Sequence, residues 1–341
     1  MSSSTQPPQR PAPYDPQETI HARLFESDRP DRRLTWAELL SIEPTDRQLL
    51  WIDITGDVES DRAEELAERF SLGRRTRRGL ESQVAEPALR LQGQYLHARV
   101  AAEPEADDPA SAAWLDLIAL PNVAISQHRA EIAFMGDVDD RITGDTALGI
   151  LSSIEFLAAI LDASITSYHR VVDAIEDDVD QLDAQALGGD DRKELLGDLV
   201  KARRRISRLR RLLADHRTVF ASLSSPEVTK FVDDPETAAL LQSVSSRFDG
   251  ALGAVEDSRD ALLGSFDVFM SRTARRTNEV MKVLTLATVL LLPGSMIAGL
   301  LGMNVVVPLG KDDPMSFWTV VIAIGVLATA IVAFARIRHW L

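Results

Sequence analysis

Two stretches without a charged side chain, Val283 to Gly310 and Pro314 to Ala335, constrain this chain more than any other feature. About 20 apolar residues in a helix cross a bilayer, and a helix satisfies its own backbone groups where lipid cannot. Both runs are long enough. Buried helices of a soluble core would read similarly, but the flanks argue against that. Arg272, Arg275, Arg276 and Lys282 precede the first run, and Arg336 and Arg338 follow the second. The connection holds only Lys311, Asp312 and Asp313. The positive-inside rule therefore predicts both flanks in the cytoplasm and the loop outside, in an inner membrane crossed twice.

Charge separates this anchor from the rest. The whole chain has a net charge of −15. From Lys282 onward the only charged residues are Lys282, Lys311, Arg336 and Arg338 against Asp312 and Asp313, so the part before Lys282 is more acidic than the whole. An acidic body argues against nucleic acid as a partner, because phosphate binding needs a basic surface. There is no cysteine, which excludes disulfides, thiolate metal sites and thiol catalysis. Residues 1–14 read as a proline-rich disordered tail and lack the apolar core of a secretory signal.

Residues 15–143 read as an α/β domain. Strand signals lie at Leu49–Ile54, Leu89–Leu91, Tyr95–Ala101, Trp114–Leu120 and Val123–Ser126, with a helix at Asp61–Phe70. No phosphate loop, nucleophile elbow or paired metal-histidine spacing occurs there, and nothing marks an enzyme. The six histidines are scattered singly, as surface or core residues are.

Residues 144–233 read as a helical hairpin, Thr146–Ala186 and Arg192–Leu223, turning at Gly188-Gly189. Asp173, Glu176, Asp177, Asp178, Asp180 and Asp183 make the first arm acidic, and the second arm is basic. Salt bridges along the hairpin are the ordinary explanation; a divalent-cation surface is the alternative. A stalk helix over 234–282 opens at Asp234-Pro235-Glu236, a capping acid before proline. Leu241, Val244, Phe248, Ala251, Val255, Leu262, Phe266 and Phe269 form its seam, interrupted at Ser258. Unbroken to Leu301, this helix would be on the order of 100 Å long.

The first span, 283–301, is not uniformly greasy. Asn278, Met281, Thr285, Thr288, Leu292, Ser295 and Gly299 follow steps of three and four and share one face. Such a stripe suits helix packing, where small polar residues are common, and equally suits a water-filled pore with apolar gates. A pore needs several copies of the helix. The pattern is compatible with both.

Directly after this span comes Gly302-Met303-Asn304, and here the chain resembles the CorA family of divalent-cation channels. The resemblance extends through Asn278-Glu279-Val280-Met281-Lys282-Val283-Leu284-Thr285, Leu292-Pro293, Ile297-Ala298-Gly299 and the closing Arg336-Ile337-Arg338-His339-Trp340-Leu341. Upstream it touches Leu161-Asp162, Tyr168, Leu209-Arg210-Arg211 and Trp51-Ile52-Asp53.

The resemblance implies an α+β cytoplasmic domain, a helical hairpin and a stalk helix above two transmembrane helices, assembled as a funnel-shaped homopentamer in the lipid bilayer. It implies a pore lined by the first span, with 315–335 as an outer helix and 336–341 as a basic cytoplasmic end. Gly302, Met303 and Asn304, at the start of the 302–314 loop, would form the selectivity motif. The Asn304 ring would hold a hydrated cation, which suits Mg²⁺ because it gives up water reluctantly. Met281, Leu284 and Leu292 would form the hydrophobic constriction. The cargo would be Mg²⁺, with Co²⁺ or Ni²⁺ as further candidates, and no cofactor or enzymatic step is implied.

Three departures stand out. Leu301 replaces an aromatic before the triplet. The outer loop offsets its two acids with Lys311. The Val305–Pro308 start and the Trp-Leu end also look like the zinc-transporting ZntB branch, whose transport could be proton-coupled. A membrane-anchored scaffold or sensor is a more distant reading. The family's regulatory stalk acid falls on Ser243 here, which leaves Asp249 and Glu256 as candidate substitutes for a regulatory metal site.

Overall fold

A computed structural model describes residues 19–26, 29–82, 84–102, 111–136, 152–188, 192–302 and 314–337. It divides into two compact units, Met1–Ser265 and Phe266–Leu341.

The first unit is built on a mixed sheet of seven strands: β1 (Ile20–Glu26), β2 (Arg29–Leu34), β3 (Gln48–Thr55), β4 (Ala88–Gln92), β5 (Tyr95–Ala102), β6 (Ala113–Leu120) and β7 (Val123–His128). Their spatial order is β2-β1-β3-β7-β6-β5-β4. Only β3 and β7 run parallel, with Leu50 opposite Val123; the other neighbours are antiparallel. The five strands expected from sequence are present. The hairpin of β1 and β2 was not expected, because β1 alternates its apolar residues with His21 and Arg23, and β2 reads Arg-Pro-Asp-Arg-Arg-Leu. Proline and charge are what an edge strand tolerates, and they erase the apolar signal.

Short helices α1 (Trp36–Ser41), α2 (Ser60–Arg69) and α3 (Arg74–Glu81) cover one face of the sheet. Leu50, Ile52 and Ile54 of β3 meet Leu39, Leu66 and Leu80 there, all at most 1 % exposed. The opposite face carries α4 (Ser153–Gly188), whose Phe156 ring lies 5.3 Å from Trp51. The expected start of this helix at Thr146 lies outside the described residues.

The second hairpin arm is α5 (Arg192–Leu223), followed by the short α6 (Pro226–Val232) and the long α7 (Pro235–Leu301, 67 residues). Asp234 caps α7 as its sequence predicts, accepting from the Thr237 amide at 2.7 Å and from its hydroxyl at 2.6 Å. Those bonds hold the Asp234 carboxyl below its ordinary range. α6 is too short to show a periodicity that could be read in advance.

Tyr168 of α4, Phe220 of α5 and Phe248 of α7 meet at the junction of the three helices. Phe220 and Phe248 stack at 4.1 Å, and Tyr168 meets Phe248 edge-on at 6.4 Å. The seam of α7 differs from expectation in two places. Ser258 does not interrupt it, because its hydroxyl is buried and donates to Glu176 at 2.9 Å. Ser265 is also buried, at 4 % exposure, whereas Phe266 is 37 % exposed. The strict alternation of three and four therefore passes through two serines, which a search for apolar residues skips.

The second unit holds the rest of α7 and α8 (Pro314–Ile337).

Candidate ion pathway

The second half of α7 and the helix Phe317–Ile337 are each long and apolar enough to cross a membrane. Within this unit the two faces of α7 are not equivalent. From Met281 onward its half-buried positions are Leu286, Leu290, Pro293, Gly294 and Ile297. On α8 the matching positions are Val320, Ile324, Ala328 and Ile331, with Ala335 buried. The helices are in contact at Gly294, where an added Cβ would stand 3.5 Å from the Ile324 side chain.

The polar stripe lies elsewhere. At 3.6 residues per turn, Met281, Thr285, Thr288, Leu292, Ser295 and Gly299 centre roughly 180° from the face packed on α8. Asn278 flanks that centre on one side and Leu284 on the other. Met281, Leu284 and Leu292 are 55 %, 59 % and 62 % exposed in the single chain, and Thr285, Thr288, Ser295, Gly299 and Asn278 are exposed with them. Packing within one chain thus uses the other side of the helix. Among the described residues the stripe has no packing partner within the chain.

Two hydroxyls on this stripe bond to the helix backbone. Thr285 donates to the Met281 carbonyl at 2.7 Å, and Thr288 to the Leu284 carbonyl at 2.8 Å. With the hydrogen spent on the backbone, each oxygen turns its lone pairs outward as an acceptor. Pro293, inside the helix, removes one further backbone donor.

α7 ends at Gly302, whose amide donates to the Ala298 carbonyl at 2.9 Å. A Cβ here would press to 3.3 Å from that same carbonyl oxygen, so the tight exit favours glycine. Met303 and Asn304, the remaining members of the predicted selectivity motif, lie outside the described residues.

The regulatory candidates are separate side chains. Asp249 and Ser243 are exposed, and Glu256 faces Arg210 at 3.7 Å. Among the described residues no group of three or more acids and histidines is arranged to hold a metal ion. The acidic arm of the hairpin instead makes ordinary pairs: Arg205 with Asp178, and Glu176 with Ser258. Near the junction with α7, Asp162 of the same arm pairs with Arg247.

Three histidines prove to be core groups. His97 donates from Nε2 to Asp116 at 2.6 Å beside Arg99, which donates to the same oxygen at 2.7 Å. Burial pushes the basicity of His128 down, but its contact with the Asp53 carboxylate outweighs this and leaves its pKa raised. Burial lowers the pKa of His216, which is fully enclosed.

Comparison with known proteins adds three findings. Residues 46–338 match the family model described as CorA-like Mg2+ transporter protein. Among curated relatives, a cobalt/magnesium transport protein CorA of Thermotoga maritima is 29 % identical over 185 residues, 54 % of this chain and 52 % of that protein. A divalent cation transporter CmaX of Pseudomonas aeruginosa is 33 % identical over 163 residues, 47 % of this chain and 48 % of that protein. A zinc transport protein ZntB of Yersinia enterocolitica is 24 % identical over 219 residues, 64 % of each. The chain thus spans about half the length of the first relatives it matches. A solved structure of the CorA magnesium transporter from Methanocaldococcus jannaschii shares the fold at a TM-score of 0.74, with 20 % identity, over 95 % of this chain and 99 % of that one.

Proposed function

Given that the chain belongs to the CorA-like Mg2+ transporter family, we propose that it conducts divalent cations, Mg²⁺ foremost, through a homopentameric pore lined by the spanning part of α7. The observation that carries this reading is the stripe from Met281 to Gly299, unused by α8 and lined with outward-facing acceptors. One helix cannot enclose a pore, so the stripe needs neighbouring copies. α8 would then form the outer, lipid-facing ring.

The chemistry follows from the ion. Mg²⁺ binds oxygen and keeps several of its waters, and those waters present hydrogens outward. Thr285, Thr288, Ser295 and the Asn278 and Asn304 amide oxygens accept such hydrogens without stripping the ion. Met281, Leu284 and Leu292 would close the path by dewetting. Transport needs no nucleotide, because a divalent charge gains about 4.6 kcal/mol per 100 mV on entering a negative interior. The acidic body that precedes Lys282 would concentrate cations at the inner mouth. The basic flanks orient that body and both termini toward the cytoplasm of an inner membrane.

A ZntB-like zinc pathway is the second reading. The similarity to a zinc transport protein and the Val305–Pro308 and Trp-Leu sequences favour it. Purified chain in liposomes, assayed for Mg²⁺, Co²⁺, Ni²⁺ and Zn²⁺ uptake with and without a pH gradient, separates the two. Uptake of Mg²⁺ driven by voltage alone is expected. Zinc uptake that requires the pH gradient, with no Mg²⁺ flux, would replace the first reading by the second.

A further inference from the structure

The side of α7 that packs on α8 continues toward the N-terminal end of the second unit as a row of cations. At 3.6 residues per turn, Arg272, Arg275, Arg276 and Lys282 fall within roughly 70° of the direction shared by Leu286, Leu290, Gly294 and Ile297. The three arginines lie roughly 120° or more from the centre of the polar stripe. Cations and stripe thus occupy different sides of one helix. Glu279, the only acid between Asp267 and Asp312, lies on the cationic side.

α8 does not cover these cations. Consecutive spans run antiparallel, and Gly294 of α7 meets Ile324 of α8. Ile337, the last residue of α8, lies as far beyond Ile324 as Met281 lies before Gly294, so the two come level. Arg336 therefore stands beside the level of Lys282, and Arg272, Arg275 and Arg276 lie past the described end of α8. Arg336 and the four cations of α7 are exposed. Among the described residues no ion pair engages Arg275, Arg276, Lys282 or Arg336.

Their level along the membrane normal matters. The uncharged part of α7, Val283 to Leu301, is roughly 28 Å long, close to the thickness of a hydrocarbon core. Lys282 and Arg336 then mark its inner boundary. Arg275 and Arg276 follow roughly 10 Å farther on, where flexible stems bring their guanidinium groups to the headgroup layer. A guanidinium meets a phosphate through two parallel hydrogen bonds, and an anionic leaflet attracts such cations over about a Debye length. Membrane orientation requires only that cations flank the span; their confinement to one side calls for a partner on that side.

We propose that this side of α7 binds the headgroups of anionic phospholipids in the inner leaflet, with Arg275 and Arg276 on the lipid phosphates. Headgroups held there fix the rotation of α7 about its axis and turn the stripe away from lipid. The proposal rests on the two spans and is independent of which cation the chain carries.

The test uses the full chain in phosphatidylcholine vesicles, with spin-labelled phosphatidylglycerol or spin-labelled phosphatidylcholine as the probe. Electron paramagnetic resonance reads the fraction of each held at the protein. Phosphatidylglycerol is expected to be preferred at least threefold. Replacing both arginines, Arg275→Gln with Arg276→Gln, should bring the ratio close to one. Arg74→Gln with Arg75→Gln, an equal loss of charge from exposed residues of α3, should leave it unchanged. Glu279→Gln should raise it, a gain that misfolding cannot produce, so this variant still decides if the double arginine variant fails to fold. A ratio near one in the parent, no rise in Glu279→Gln, or an equal fall in the α3 variant would each overturn the proposal. An unchanged ratio in the Arg275 and Arg276 variant, with a lower melting temperature, would assign those arginines to protein acids instead. None of these results bears on ion conduction, which liposome flux measures separately.

Discussion

The backbone amide of Ala101, at the end of β5, donates to Nε2 of His216 on α5 at 2.7 Å. The other imidazole nitrogen donates to the Leu212 carbonyl at 2.6 Å, which fixes the tautomer, and Trp114 stacks on the ring at 5.7 Å. The carbonyl of the same Ala101 accepts from the Tyr168 hydroxyl of α4. β4 pairs with β5 only as far as Arg99, so both arms of the hairpin complete the hydrogen bonding that the sheet leaves open. Ala101 thus ties both arms of the hairpin to the sheet.

This fastening should be sensitive to acid. Protonation would turn Nε2 from acceptor to donor, facing another donor. Burial lowers the folded pKa of His216 below its ordinary value of 6.5, against opposing contributions from Leu212 and Asp215. The unfolded chain therefore binds the extra proton more readily, and this contribution is complete above pH 6.5 and lost as pH falls below it. His128 has the opposite sign: its raised pKa favours the folded state below 6.5 and fades as pH rises through the folded value. Melting temperatures from pH 8 to 5, compared with His216→Gln, isolate the His216 slope. An identical pH profile in the variant would contradict the assignment.

A second stability prediction concerns Gly79. A Cβ there would lie 2.6 Å from Nη2 of Arg99, which Asp116 holds in the buried interior. Gly79→Ala should cost about 1–3 kcal/mol by overpacking, read as a lower midpoint in denaturant. Combining it with Arg99→Met is expected to recover part of that loss relative to Arg99→Met alone. Simple additivity of the two substitutions would show that the glycine is kept for another reason.

How much of this was legible beforehand depends on what each element buries. The spans were legible because lipid forbids charge over a whole helix, and the seam because Leu241, Phe248 and Val255 repeat at fixed steps. Ser258 and Ser265 escaped because their burial is licensed by hydrogen bonds to Glu176 and the helix backbone, a tertiary circumstance. β1 and β2 escaped because edge strands carry charge. The stripe on α7 was legible as a pattern, but periodicity could not say which face another helix covers. α8 settles that within the chain by taking Gly294 and its neighbours.

Asn304→Ala tests the outer selectivity ring. The variant should assemble as the parent does and lose most divalent uptake in liposomes, because a hydrated ion no longer meets fixed amide oxygens. Full uptake at low external Mg²⁺ would remove Asn304 from the pathway.

Met281→Asp tests the constriction. A carboxylate on the proposed pore face should keep the gap wet, so cation leak in planar bilayers is expected to rise severalfold at equal protein density. Should leak stay at the parent level, Met281 serves helix packing and the gate lies elsewhere.

The last prediction concerns control by internal Mg²⁺. The stalk position that would carry a regulatory carboxylate in the resemblance is Ser243, an exposed hydroxyl without an acid in the stretch Gln242 to Arg247. A neutral hydroxyl is a poor Mg²⁺ ligand beside a carboxylate. Of the two possible substitutes, Glu256 already faces Arg210 at 3.7 Å, so a cation there would compete with a guanidinium. Asp249 is exposed and offers one carboxylate, with no cluster of ligands around it among the described residues. Closure by Mg²⁺ should therefore be graded, set by screening of the acidic surface. Protease protection of the full chain across a Mg²⁺ titration is expected to change gradually, and added monovalent salt should reproduce much of the effect. A sharp, saturable transition near millimolar Mg²⁺ that persists in Ser243→Ala and vanishes in Asp249→Asn would place a defined site at Asp249 and refute graded control.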